Sequence, residues 1–303
     1  MTRRAIIATL LVASLAVAVQ GAPKVRKHLL VSSAELAKML GKPGVAILHV
    51  GKKENYDQEH IPGARLVEVK DFTVAHGSIG NEMPPVADLV ALMQRLGIGD
   101  NTRVVVYEEA AGTWAARMFV TLDYLGAGEH AALLDGQLAK WKAEKRPLTT
   151  EAPQIMPAKF TPRPHPEVLV SLAAMKDFSW ATRNTSAPLA LLDSRPEDQF
   201  RGEAGAAERK GRIPGSQSLF WVNTLQSREM PVLKPVDEIR KMFTAAGAQP
   251  GKKIVTYCHS GVQASFDYFL ARYLGYHDVQ MYDGSWSEWS ADPSTEVETG
   301  ASR

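Results

Sequence analysis

The chain has one cysteine in 303 residues, so no internal disulfide can staple it. No group of cysteine and histidine has the spacing of zinc ligands, and no motif points to a cofactor or a metal. Excess charge of one sign is lacking too. The balance is 35 Lys and Arg against 33 Asp and Glu, a net +2, which gives no bulk attraction to nucleic acid. Low-complexity tracts are absent. A long apolar run occurs once, from Ala5 to Val19, behind Arg3 and Arg4 and ahead of Val19-Gln20-Gly21. That pattern reads as a secretory signal peptide over residues 1–21, with the mature chain starting near Ala22. The run is short for a membrane span, so no stable anchor is expected, an uncleaved anchor being the alternative. Export, to a periplasm, is the expectation. A lone thiol kept in an oxidising compartment is there for chemistry more than for stapling.

What is present is alternation of strands and helices. Ser32 or Ser33 caps a first helix with Glu35 in its first turn, and Val45–Val50 reads as a strand. Residues 55–64 read as a polar loop closed by Pro62-Gly63. Asp88–Leu96 is an amphipathic helix, Arg103–Tyr107 a strand, Trp114–Leu125 a helix, Ala132–Leu134 a strand, and a further helix begins at Leu138. Such alternation predicts an α/β fold with parallel sheets flanked by helices.

Prolines at 153, 157, 162, 164 and 166 mark a stiff, extended linker, after which the pattern repeats. Ile47–Gly51 corresponds to Leu191–Arg195, and His60-Ile61-Pro62-Gly63-Ala64 to Arg212-Ile213-Pro214-Gly215-Ser216. Val104–Tyr107 corresponds to Ile254–Tyr257, and Leu134-Asp135-Gly136 with Trp141 to Tyr282-Asp283-Gly284 with Trp289. The expected division is therefore a first domain at 22–150, a linker at 151–166 and a second domain at 167–303.

The one cysteine follows the apolar run Lys253-Ile254-Val255-Thr256 and precedes a helical pattern over Phe266–Leu274. Between them, Cys258-His259-Ser260-Gly261-Val262-Gln263-Ala264 makes a small-residue loop on a strand–loop–helix turn. Backbone N–H groups from His259 to Ala264 would converge above the sulfur. With the helix N-terminus they would hold an anion and lower the thiol pKa. In the first copy the matching position is Glu108, so only the second copy can use a thiol nucleophile.

The duplicated unit, the paired Ile-Pro-Gly turns, the cysteine loop and the run Tyr282-Asp283-Gly284-Ser285-Trp286-Ser287-Glu288-Trp289 together resemble the tandem-domain rhodaneses, a sulfurtransferase family. The resemblance spans nearly all of the chain after the leader. It implies two rhodanese-like domains and a ping-pong reaction. Cys258 would take a sulfane sulfur from thiosulfate or 3-mercaptopyruvate, become a persulfide, and pass the sulfur to cyanide or a thiol.

In that family a basic pair after the cysteine accompanies thiosulfate, and Gly-Ser accompanies 3-mercaptopyruvate with the serine in a Ser–His–Asp relay. Here the pair is His259-Ser260. The resemblance makes Ser260 a relay serine and His60 its histidine, oriented by Asp57 or Glu59; the alternative for His60 is a turn histidine that caps its loop. A protonated His259 would instead supply positive charge for thiosulfate. Gln199 stands where the family commonly has a substrate-binding arginine. Arg201 would substitute for it and Arg209 supply a second arginine, or both form surface ion pairs. Gln263 replaces the usual threonine of the loop. Asp193, Arg195 and Asp283 are expected to pair charges beneath the loop.

Two other readings compete. A cysteine-loop phosphatase needs an arginine six residues after its cysteine, and Ala264 stands there, so no guanidinium can grip a phosphate. A non-enzymatic module that binds a sulfur carrier or partner protein would share the fold but has no need of a thiol.

Overall fold

The computed structural model describes Gly21, residues 23–77 and residues 79–301. The leader expected over residues 1–21 falls, apart from Gly21, outside them. Among the described residues no helix is long and apolar enough to cross a membrane.

The chain is built twice. The first unit opens with β1 (Leu30–Val31), α1 (Ser33–Met39), β2 (Val45–Val50), α2 (Lys53–Gln58) and β3 (Ala64–Val67). A hairpin, β4 (Val74–His76) and β5 (Ile79–Glu82), leads to α3 (Val86–Arg95). The unit closes with β6 (Arg103–Glu108), α4 (Thr113–Tyr124), β7 (Ala131–Leu134) and α5 (Gln137–Ala143). The second unit runs β8 (Leu169–Val170), α6 (Leu172–Asn184), β9 (Leu189–Asp193), α7 (Glu197–Arg201) and β10 (Gln217–Ser218). It ends with α8 (Val236–Ala245), β11 (Lys253–Tyr257), α9 (Val262–Leu274), β12 (Val279–Tyr282) and α10 (Ser285–Ala291).

Each unit holds one five-stranded sheet, ordered β1-β7-β6-β2-β3 in the first and β8-β12-β11-β9-β10 in the second. All pairs in both are parallel. Replacing each strand of the first by its counterpart reproduces the second, so the sequence repeat is a repeat of topology. The register agrees: Ile47 lies opposite Val105, and Leu191 opposite Val255. Even the tyrosines recur, for Tyr107 Oη accepts from Ile61 N at 3.0 Å and Tyr257 Oη from Ile213 N at 3.2 Å. Each thereby pins its Ile-Pro-Gly turn beneath the sheet.

Local chemistry explains most boundaries. Ser32, not Ser33, caps α1, and with Glu35 it forms a reciprocal capping box. The apolar runs Val104-Val105-Val106 and Ile254-Val255 make central parallel strands, buried on both faces. Residues 55–58, expected as loop, belong to α2, because Tyr56 turns inward and Lys53 pairs with Asp57 one turn on. Helix α9 starts at Val262, four residues before the apolar periodicity shows. Its first turn is small and polar and carries no stripe. Residues 150–165 form no helix or strand. They lie along the first unit, with Phe160 buried and Arg163 N donating to Leu125 O at 2.9 Å.

The helices that follow the two equivalent central strands, α4 and α9, pack on one another, and one apolar core runs through both units. Phe119 and Phe269 meet edge to face at 5.0 Å in that seam. Both helices are buried almost all round, which is why their polarity pattern is weak. Replacing Phe269 by Ala is expected to cost about 3–5 kcal/mol of stability, read as a lower urea midpoint. A loss under about 1 kcal/mol would show that the seam is not a packed core.

Candidate active site

Cys258 sits where β11 ends, and the chain must turn at once into α9. Gly261 makes that turn with φ +79°, a left-handed conformation that a side chain would strain. A Cβ there would also come within 3.0 Å of Asp283 Oδ1. The turn is held from beneath by the start of α10. Ser285 Oγ accepts from Cys258 N at 3.2 Å and from Gly261 N at 3.1 Å, and donates to Tyr282 O at 2.8 Å. Trp286 N donates to Cys258 O and Ser287 N to His259 O, each at 2.9 Å. The run Tyr282–Trp289 therefore earns its place by fixing the backbone of the cysteine loop.

Cys258 is 1% exposed, and its sulfur faces the backbone N–H groups of Ser260, Gln263 and Ala264. That is a preorganised anion cradle at a helix N-terminus. It does not lower the thiol pKa as expected. Burial raises the pKa of Cys258, and the three N–H groups offset this only in part. The loss of solvent outweighs the dipoles while the sulfur is a bare thiol.

The first unit repeats the cradle around a different group. Glu108 is buried, and its carboxylate accepts from Gly112 N and, at 2.9 Å, from Trp114 N at the start of α4. Gln137 takes the part of Ser285. Its Oε1 accepts from Glu108 N at 2.9 Å and its Nε2 donates to Leu134 O at 2.7 Å. Both residues have φ +52°. The first unit thus carries a side-chain carboxyl where the second carries a thiol. Burial pushes the Glu108 carboxyl up to about 7 against its N–H bonds.

Above Cys258 lies a cavity of about 710 Å³. The first unit lines it with Asn81, Ala110, Ala111, Thr113 and Trp114. The second contributes Gln199, Ala206, Trp221 and Arg228, together with Cys258, His259, Ser260, Val262 and Gln263. The site is a cleft between the units, held by a buried ion pair. Arg117 on α4, fully buried, donates to Asp283 Oδ1 at 2.6 Å and to Asn81 O at 2.6 Å. Asp283 Oδ2 accepts from Met83 N at 2.8 Å. The β4–β5 hairpin is thereby drawn onto the second unit, and Asn81, at φ +64°, donates through Nδ2 to Ser260 Oγ at 3.1 Å.

Several expected residues lie elsewhere. His60 is fully buried in the first unit and stacks on Tyr56 at 3.7 Å. Its ring nitrogens face the carbonyls of Tyr56 at 2.7 Å and Glu151 at 3.1 Å. It caps its turn and does not line the cavity. Asp57 pairs with Lys53 and Glu59 with Lys142, so neither orients it. No Ser–His–Asp relay forms; Asn81 is the partner of Ser260. Arg201 pairs with Glu197 at 3.0 Å, and Arg209 donates to Asp292 O at 2.7 Å and Thr295 Oγ1 at 3.0 Å. Both are outside the cavity, whereas Gln199 lines it. Burial, and then Arg195, lower the His259 pKa, so this ring is neutral at neutral pH and brings no charge.

Asp193 and Arg195 do pair beneath the loop, at 2.6 Å, with the guanidinium 4.7 Å above the Trp286 ring. Asp283 pairs instead across the domain boundary. Asn81, Trp114, Arg117, Trp221 and Arg228 were not expected at the site, since none belongs to the cysteine loop and nothing local in the sequence places their elements against it.

A duplicated α/β unit with a thiol cradle in one copy and a carboxylate in the other defines a two-domain protein with a single thiol site in its interdomain cleft. The Rhodanese-like domain family matches the chain twice, at residues 32–144 and 177–292. A thiosulfate sulfurtransferase of Azotobacter vinelandii is 32% identical over 270 residues, covering 89% of this chain and 97% of that protein. A probable 3-mercaptopyruvate sulfurtransferase of Pseudomonas aeruginosa is 32% identical over 286 residues, with coverage of 89% and 98%. The solved structure of an Escherichia coli 3-mercaptopyruvate sulfotransferase with the rhodanese fold superposes with a TM-score of 0.73. It is 26% identical, and the match covers 85% of this chain and 98% of that one. The chain belongs to the rhodanese family.

Two outcomes test this electrostatic picture. Alkylation of Cys258 by iodoacetamide should be slower at pH 7 than that of a free thiol, and should still be accelerating with pH where a free thiol has levelled off. A plateau near neutral pH would show a depressed pKa instead. For Glu108 the folded pKa lies above the unfolded one. Its contribution to stability is therefore intact below about pH 4.5 and is lost as pH rises through about 7. Urea unfolding of the wild type, minus that of Glu108→Gln, should show a decline of about 3 kcal/mol across that window. A flat difference would place the carboxyl pKa near its ordinary value.

Proposed function

We propose that the chain is a sulfurtransferase that moves a sulfane sulfur from thiosulfate or 3-mercaptopyruvate to cyanide or a thiol, through a persulfide on Cys258. The observation that carries this reading is the cradle of three N–H groups around the sulfur, at the floor of a cleft formed by both domains. Relatives named for each donor, matched over most of both chains, support the reaction class.

The chemistry balances with these residues alone. The Cys258 thiolate attacks the outer sulfur of thiosulfate; a new S–S bond forms as the donor's S–S bond breaks, and sulfite leaves with the electron pair. From 3-mercaptopyruvate the C–S bond breaks instead, and the departing carbon takes a proton to give pyruvate. The acceptor then attacks the outer sulfur, releasing thiocyanate or a small persulfide and regenerating the thiolate. The added sulfur extends the anion about 2 Å from the buried Sγ. Charge moves toward the open cavity while the N–H dipoles still face it. The cradle thus favours the persulfide anion over the buried thiolate, which holds the enzyme in its loaded form between half-reactions.

We further infer that residues 1–21 direct export and are removed. Support comes from Arg3 and Arg4 followed by the apolar run to Val19.

Incubation with either donor should add the mass of one sulfur atom to the mature protein, and Cys258→Ser should abolish the gain. No added sulfur from both donors would sink the reading in favour of a binding module. The same spectrum of exported material should lack residues 1–21; a full-length mass would indicate a retained segment.

A further inference from the structure

We propose that Arg228 is the specificity-determining residue that recognises the anionic end of the sulfur donor, the sulfonate of thiosulfate or the carboxylate of 3-mercaptopyruvate. The inference rests on the sulfurtransferase reading and identifies how the cleft selects its donor.

Both donors are small anions, so the cleft needs a positive charge within reach of the sulfur. Of the side chains that line the cavity, Arg228 alone carries a permanent charge, and no carboxylate lines it. The arginines that the sequence pattern nominates are committed elsewhere, Arg201 to Glu197 and Arg209 to Asp292 O and Thr295. Gln199 brings only an amide. Arg228 has no hydrogen-bond or ion-pair partner among the described residues, and its neighbour Glu229 lies outside the cavity lining. Its guanidinium sits 5.8 Å from the Trp221 ring, which is itself buried against Phe266 of α9 at 5.4 Å.

The loop that presents Arg228 is anchored on both domains. Leu225 and Leu233 bridge its base, Gln226 N donates to Val232 O at 2.8 Å, and Leu233 N donates to Asp135 Oδ1 of the first unit at 3.0 Å. An exposed guanidinium at the rim of a cleft, held by an aromatic shelf, can take an oxyanion in a two-pronged grip while the donor sulfur points down to Cys258. The amides of Gln199 and Gln263 also line the walls, and Gln263 Oε1 is buried without a partner.

The test is the rate of persulfide formation on Cys258, followed by rapid quench and intact mass, against the concentration of each donor separately. Arg228→Gln should raise the half-saturating donor concentration roughly tenfold with little change in the maximal rate, because a rim charge contributes binding and not chemistry. Arg228→Lys should recover most of the loss. Added salt should weaken donor binding in the wild type and narrow the gap to Arg228→Gln. Discharge of the preformed persulfide to 2-mercaptoethanol, an uncharged acceptor, should be unchanged. A shift with one donor only would assign Arg228 to that donor's sulfonate or carboxylate. Unchanged half-saturation for both donors, with persulfide still forming, overturns the role of Arg228 alone. Absence of persulfide in the wild type overturns the sulfurtransferase reading and this inference with it.

Discussion

The pair between Arg117 and Asp283 is the constraint on which the site depends. Arg117 projects from α4 in the first domain, and Asp283 follows β12 in the second, so the pair spans the boundary with no exposed surface on the arginine. A buried ion pair adds little net stability, because desolvation consumes most of the Coulomb attraction, but losing one partner strands a charge in the core. Its value is therefore in geometry. With Asn81 O accepting from Arg117 and Met83 N donating to Asp283, it holds the β4–β5 hairpin against the cysteine loop and closes the cleft on one side. The apolar seam of α4 and α9 supplies the cohesion that the ion pair does not.

The duplication makes the electrostatics of the thiol site intelligible. The same turn, supported by a left-handed residue at the equivalent position (Gln137 or Ser285), surrounds Glu108 in one domain and Cys258 in the other. In the first, a carboxylate receives the N–H groups and the cradle is permanently occupied by its own side chain. In the second, the thiol is short and buried, and the dipoles meet a full charge only when the thiol ionises or carries the added sulfur. Burial dominates in both resting groups, raising each pKa. What differs is that the thiol can grow outward by one atom and the carboxylate cannot.

Much of the fold was legible in the chain. The repeat of Ile47–Gly51 with Leu191–Arg195, and of the Ile-Pro-Gly turns, reflects strand alternation and turn chemistry that are local in sequence, so they survive as a readable pattern. Cys258 and its loop were legible for the same reason, as a strand–turn–helix in seven consecutive residues. The short α2 and the first turn of α9 were not, since neither carries an apolar stripe to announce it. His60 was misleading. The His-Ile-Pro-Gly turn is conspicuous, but the ring is used up in stacking on Tyr56 and capping its own turn.

By itself the sequence determined that this is a duplicated α/β chain with one thiol on a strand–loop–helix turn, because local periodicity and composition specify secondary structure and its order. Only the tertiary structure decided which residues surround that thiol. Asn81, Trp114 and Arg228 are separated from Cys258 by 177, 144 and 30 positions in the numbering, and nothing local marks them. They meet at the sulfur because α4 packs on α9 and a buried ion pair docks the hairpin of one domain onto the other. Whether the thiol pKa rises or falls was likewise a tertiary matter, since it turns on how deeply the packed domains bury Sγ.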